Sequence, residues 1–174
     1  MNFPAILNIL GHVIKYELLL LLIPFAVALF YGQGDASAFL YTILIMLPIS
    51  IILTRVKGKK KEIYAKEGFL TVGLAWIVIS FFGALPFVFN GAIPSFIDAF
   101  FETSSGFTTT GASILTEIQS LPKGILFWRS FTHWVGGMGF LIFILALMPS
   151  FGGNTIHLLK AESPGPTPGK IGRA

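Results

Sequence analysis

The sequence predicts an all-α integral membrane protein: two N-terminal transmembrane helices, then a unit in which a short helix and a polar loop stand between two longer spans. Three observations carry this reading. Of the 174 residues, 54% are hydrophobic and only 11% charged, with a mean hydropathy of +0.80, whereas a soluble domain carries about 25% charged residues. The apolar residues gather into long runs, each near the roughly 20 residues that a helix needs to cross a bilayer. One further apolar stretch, ending in Thr and Gly, is too short to span.

The first run extends from Val13 to Tyr31, the second from Ala38 to Thr54, the third from Phe69 to Phe89 and the fourth from Ile125 to Met148. Pro24, Pro48 and Pro86 lie inside them, which helices in lipid tolerate because neighbouring groups re-satisfy the freed carbonyls. Between the second and third runs stand Arg55, Lys57, Lys59, Lys60 and Lys61, with Lys66 close behind. By the positive-inside rule this loop is cytoplasmic. Alternation then places both termini inside. Lys15, Lys160, Lys170 and Arg173 agree with that, and only Lys123 and Arg129 fall outside. A secretory signal ending at Ala36-Ser-Ala38 is the rival for the first run. The run is long for that role, and residues 32–35 make a natural turn between two spans.

The net charge of +4 sits in short clusters, so it signals topology and lipid contact, and no nucleic-acid partner is expected. Cysteine is absent, which excludes disulfide scaffolds, thiolate metal sites and thiol catalysis. The histidines (His12, His133, His157) are scattered, with no carboxylate at ligand spacing, so no metal centre of the zinc kind is expected.

Between the third and fourth spans the chain reads PSFIDAFFETSSGFTTTGAS from Pro94 to Ser113. Ser95 with Asp98 three residues on marks a helix start, and Ser104-Ser105-Gly106 is expected to break the helix after about ten residues, or about 15 Å. Half a bilayer of helix followed by Thr and Gly predicts a re-entrant loop. Such backbone is tolerated at membrane depth only inside protein or along a watery cavity. Gly111 can take a positive φ, and carbonyls with Thr hydroxyls can replace the water around a dehydrated cation. The residues therefore point to a cation filter lined by Thr109, Thr110, Gly111, Ala112 and Ser113. The bland alternative is a surface turn.

Asp98 reads as a solvated helix start. Glu102 is expected either to brace the loop from behind, with Thr108 beside it, or to form an ion pair with Arg129 or Lys123. Arg129 reads as structural, because a cation facing the pore would repel the ion. Gly136, Gly137 and Gly139 favour close helix packing over a hinge. The string Thr103-Ser104-Ser105-Gly106 is similar to the Gly-x-Ser-Gly of intramembrane serine proteases, but its first position is Thr and no His–Asp partner is placed. No enzymatic activity is expected.

A wider set of strings carries a resemblance: KEGF from Lys66, GALPF from Gly83, DAFFE from Asp98, SGFTTTGA from Ser105, LFWR from Leu126, WVGGMG from Trp134 and AESPGP from Ala161. In this order they resemble the Trk/Ktr/HKT superfamily of potassium transporters, and most closely its bacterial TrkH/TrkG branch. The resemblance implies a potassium-channel-like fold of four helix–pore loop–helix units around one axis. Residues 1–65 would be the N-terminal helix pair with its basic loop, 66–150 the first unit, and 151–174 a cytoplasmic linker to a further unit. Gly111 would be the filter glycine, flanked by carbonyls of Thr109, Thr110 and Ala112, with potassium held at Thr109, Thr110 and Gly111. Alanine after that glycine implies looser selectivity. Potassium would be the substrate, with no covalent cofactor. Implied partners are the remaining pore units, a second copy in a homodimer, and a cytosolic nucleotide-binding regulatory subunit (TrkA-like), all at the bacterial inner membrane. The departure is length: one unit is present and no repeat of it follows. A homotetrameric channel and a non-conducting structural fragment are the competing readings.

Overall fold

The computed structural model describes residues 3–56 and 65–147. They form α1 (Phe3–Tyr31), α2 (Ala36–Thr54), α3 (Ala65–Asn90), α4 (Phe96–Phe107) and α5 (Lys123–Leu147), and no strand occurs among them. The basic cluster from Lys57 to Lys61 and the tail motif from Ala161 to Pro166 lie outside the described residues.

α1, α2 and α3 are each long and apolar enough to cross a membrane. Their prolines, Pro24, Pro48 and Pro86, sit within unbroken helices as expected. Buried threonines in these helices satisfy themselves locally: Thr42 donates to the Ala38 carbonyl at 2.8 Å and Thr71 to that of Glu67 at 2.6 Å. That return to the preceding turn is what a hydroxyl does where no water is available. The outer faces remain apolar, with Leu19, Leu22, Leu29, Leu44, Ile52 and Ile77 exposed. Only lipid or further protein can cover such a surface.

α1 starts at Phe3 rather than Val13, because its first turns are used for packing. Ile6 and Leu10 are buried beside Ala75 of α3, and Asn8 Nδ2 donates to the carbonyls of Thr54 and Val56 at 2.7 and 3.1 Å. Those carbonyls lie at and just past the end of α2, where the amides of Arg55 and Val56 already take the carbonyls of Ile51, Ile52 and Leu53. Asn8 thus caps the end of α2 from a different helix.

The core lies where α1, α3, α4 and α5 meet. Trp128 of α5 is fully buried, and its indole N–H donates to the Gly83 carbonyl of α3 at 2.9 Å. Its ring meets Phe107 edge-on, with centroids 6.1 Å apart. A single buried side chain therefore ties α3, α5 and the end of α4 together. Phe39 and Met46 of α2 and Ile14 and Leu21 of α1 complete the core.

Candidate functional site

α4 begins as its sequence requires. Ser95 is extended and its hydroxyl accepts from the Asp98 amide at 3.4 Å. The helix does not break at Ser104-Ser105-Gly106, however, and continues to Phe107. Tertiary contact overrides the breakers. A Cβ at Gly106 would collide with the Thr132 hydroxyl, and one at Gly136 with the Phe107 carbonyl. Each helix presents a glycine where the other approaches, so Gly106 is kept helical by what it lets near. Gly136 serves packing, whereas a Cβ at Gly137 would meet only the Thr109 methyl at 3.9 Å.

The chain then turns back. Thr109 has φ +57 and Gly111 φ +77. For a β-branched residue such as Thr109 that conformation is strained. It is held by two ties to α4: Thr109 N–H donates to the Gly106 carbonyl and Thr110 N–H to that of Ser105, both at 3.0 Å. The hydroxyls of Thr108 and Thr110 meet at 2.8 Å. Ser105 Oγ donates to the Ala112 carbonyl at 2.6 Å, so among the expected lining groups that carbonyl is already engaged. By contrast, the carbonyls of Thr109, Thr110 and Gly111 accept no hydrogen bond among the described residues. Residues 108–114 are all exposed.

Glu102 holds the loop from behind, and both expected roles occur at once. Its carboxylate is buried and takes Arg129 Nε at 2.6 Å. The same group accepts from Ser113 Oγ at 3.0 Å and from the Ile114 amide at 3.0 Å. Charge-assisted bonds of this kind are roughly twice as strong as neutral ones. Arg129 is therefore structural, as its sequence context implies, and it neutralises the carboxylate that positions the loop. Among the described residues the ion pair of Glu102 is with Arg129 and not with Lys123, whose backbone amide donates to Gln33 Oε1 at 2.7 Å. No hydrogen bond or ion pair ties the Asp98 side chain to the loop among the described residues, and its amide is taken by Ser95. The last turn of α4 carries no basic residue, so the partial negative charge of its C-terminal end faces the loop without a side-chain counter-charge.

Among the described residues the hydrolase reading finds no supporting geometry. Ser105 Oγ is bonded to a carbonyl, and His133 Nδ1 pairs with the Arg129 carbonyl at 3.0 Å. No group of three metal-ligating side chains occurs among the described residues.

Residues 36–172 match the family model described as TrkH, cation transport protein. The chain belongs to the TrkH family. It is 42% identical over 168 residues to the Trk system potassium uptake protein TrkH of Escherichia coli K12, covering 95% of this chain and 35% of that protein. With TrkG of the same organism the identity is 32%, over 93% of this chain and 34% of the relative. The crystal structure of the potassium transporter TrkH from Vibrio parahaemolyticus superposes with a TM-score of 0.78 at 34% identity, covering 92% of this chain and 36% of that one. The chain thus spans about a third of the length of the relatives it matches. These relatives are named as transporters, not enzymes. With its three membrane-length helices, this TrkH-family chain is a multi-pass membrane protein.

Sequence reasoning missed Asp35 and Gln33. Asp35 is fully buried, and its Oδ2 accepts from the amides of Gly124 and Ile125 at 2.8 and 3.3 Å. The turn between α1 and α2 therefore caps the start of α5, about 90 residues away in sequence. One signal pointed there: α5 opens after Pro122, which offers its first turn no side-chain acceptor.

Proposed function

We propose that this chain supplies one of four pore-loop segments to the potassium filter of a Trk-type uptake system. Potassium would be coordinated by the carbonyls of Thr109, Thr110 and Gly111. Thr108 and Glu102 support the loop, and Ser113 is its anchor to Glu102. The observation that carries this reading is that the successive exposed carbonyls from Thr108 to Gly111 accept no hydrogen bond among the described residues, on a loop whose other groups are tied to α4 and Glu102. Unpaired carbonyls need water or a cation, and a dehydrated potassium ion needs carbonyls. The names of the relatives support the choice of ion.

In this reading residues 1–65 are the N-terminal helix pair, 66–150 the first pore unit and 151–174 the linker to the next. The positive-inside argument puts both termini in the cytoplasm of a bacterial inner membrane. The remaining pore units, a second copy and a TrkA-like cytosolic subunit are its partners. The decisive experiment is rubidium uptake by full-length protein and its Gly111→Asp variant in cells without other potassium uptake. The variant is expected to reach the membrane and abolish uptake. Uptake equal to the parent would overturn the assignment of this loop to the filter.

A further inference from the structure

Glu17 is the one carboxylate in the middle of α1, and it points inward. Its residue is 4% exposed, and neither carboxylate oxygen has a hydrogen-bond partner among the described residues. Its surroundings are fixed by Gly83 of α3. A Cβ on that glycine would lie 3.3 Å from Glu17 Oε1, 2.7 Å from the Thr103 methyl and 3.0 Å from the Phe107 ring. The carboxyl group therefore lies buried beside Gly83, in the region where Thr103 and Phe107 of α4 also approach that glycine.

The nearby polar groups are already committed. The Gly83 carbonyl takes the Trp128 indole N–H, and the Thr103 hydroxyl donates to the Ala99 carbonyl at 2.6 Å. Among the described residues no counter-charge pairs with it from the packed elements either. α2 offers Tyr41, with buried Asp35 in the turn before it and exposed Arg55 at its C-terminal cap. α3 carries Lys66 and Glu67 at its far end and nothing ionisable from Gly68 to Asn90. On α4, Asp98 lies at the opposite end, and Glu102 is held by Arg129. On α5, Lys123 stands at the first turn, Arg129 is taken by Glu102, and His133 is bonded to the Arg129 carbonyl. On α1 itself His12, Lys15 and Tyr16 are exposed.

An ionised carboxylate there would be an unpaired charge in an apolar site, which neither protein nor lipid solvates. A metal cation would find one ligand residue and hydrocarbon around it, too few oxygens to replace its water. A proton needs no further ligands. We propose that Glu17 is a proton-binding site behind α4, occupied as the neutral acid, and that its occupancy controls how firmly α1 seats against α3 and α4. Losing the proton places negative charge against Thr103 and Phe107, beside the end of α4 that already carries partial negative charge. The two repel, and the support of the loop is weakened from the rear. This holds whether or not the loop conducts.

The test is infrared spectroscopy of the full-length protein in lipid, paired with labelling by a hydrophobic carbodiimide, which reacts with protonated carboxyls in apolar surroundings. At neutral pH the parent is expected to show a protonated-carboxyl stretch that Glu17→Gln lacks. Peptide mass spectrometry is expected to find the label on Glu17 and not on exposed Glu117. Labelling should fall by about tenfold per pH unit once the proton is being lost. Should Glu17→Gln fail to fold, the labelling of the parent decides alone. An unlabelled Glu17 in the folded parent overturns the proposal. A carboxylate band that shifts when potassium replaces sodium also overturns it, because an alkali cation would then hold the site.

Discussion

At Glu102 one buried carboxylate joins an arginine on α5 to two groups of the loop. The pair therefore belongs to loop geometry as much as to stability. Glu102→Gln keeps the size of the side chain but leaves Arg129, whose side chain is 15% exposed, without its charge partner. Breaking a buried pair from one side costs roughly 3–5 kcal/mol. Thermal unfolding in detergent is expected to show that loss, and a Glu102→Met, Arg129→Met double variant should recover a substantial part of it. Gly111 responds differently. A side chain there meets nothing within 4 Å, but its φ is +77. Gly111→Ala should cost about 1–3 kcal/mol of backbone strain while leaving the helices intact, so circular dichroism stays unchanged as rubidium uptake falls. Ala112→Gly should alter the ratio of rubidium to sodium flux if the residue after the glycine sets selectivity. An unchanged ratio would remove Ala112 from that role.

Two helix ends are held by segments distant in sequence, in addition to the local cap that Ser95 gives α4. Asn8 of α1 closes α2, and Asp35 with Gln33 closes the start of α5. The N-terminal pair is therefore a clamp on α5 as well as two membrane-length helices. Asp35→Ala removes two amide contacts from α5 and is expected to cost about 1–2 kcal/mol. Asp35→Asn keeps an acceptor oxygen and should cost less. Hydrogen exchange at the first turn of α5 distinguishes them. The contact between α4 and α5 is set by glycines, so Gly136→Ala should be worse than Gly137→Ala. The first drives a methyl into the Phe107 carbonyl and the second meets open space apart from the Thr109 methyl. Forced overpacking of that kind costs typically 1–3 kcal/mol, readable as a lower unfolding temperature for Gly136→Ala alone.

For the whole molecule, length governs what the chain can do. It covers 35% of its Escherichia coli relative, and one loop cannot close a ring of carbonyls around an ion. The apolar outer faces of α1, α2 and α3 leave surface for lipid and for further protein. Liposomes holding this chain alone are therefore expected to show no rubidium flux. Flux abolished by Gly111→Asp would instead mean that copies of the chain complete the ring among themselves.

The membrane class, three of the four expected spans and the start of α4 were legible because they depend on local quantities. Lipid demands runs of apolar residues and tolerates internal prolines, and Ser95 caps a helix through an amide three residues away. The positive φ at Gly111 was legible for the same reason, since glycine alone takes it without strain. What escaped were the pairings between distant segments. Nothing near Asp35 in sequence reveals that it caps Gly124 and Ile125. Nothing near Glu102 chooses between brace and ion pair, because a buried carboxylate has lone pairs enough for both. Ser104-Ser105-Gly106 read locally as a helix end, and it is helical because Thr132 and Gly136 approach from α5. Local preferences of about 1 kcal/mol per residue yield to packing contacts that exist only once the helices have met.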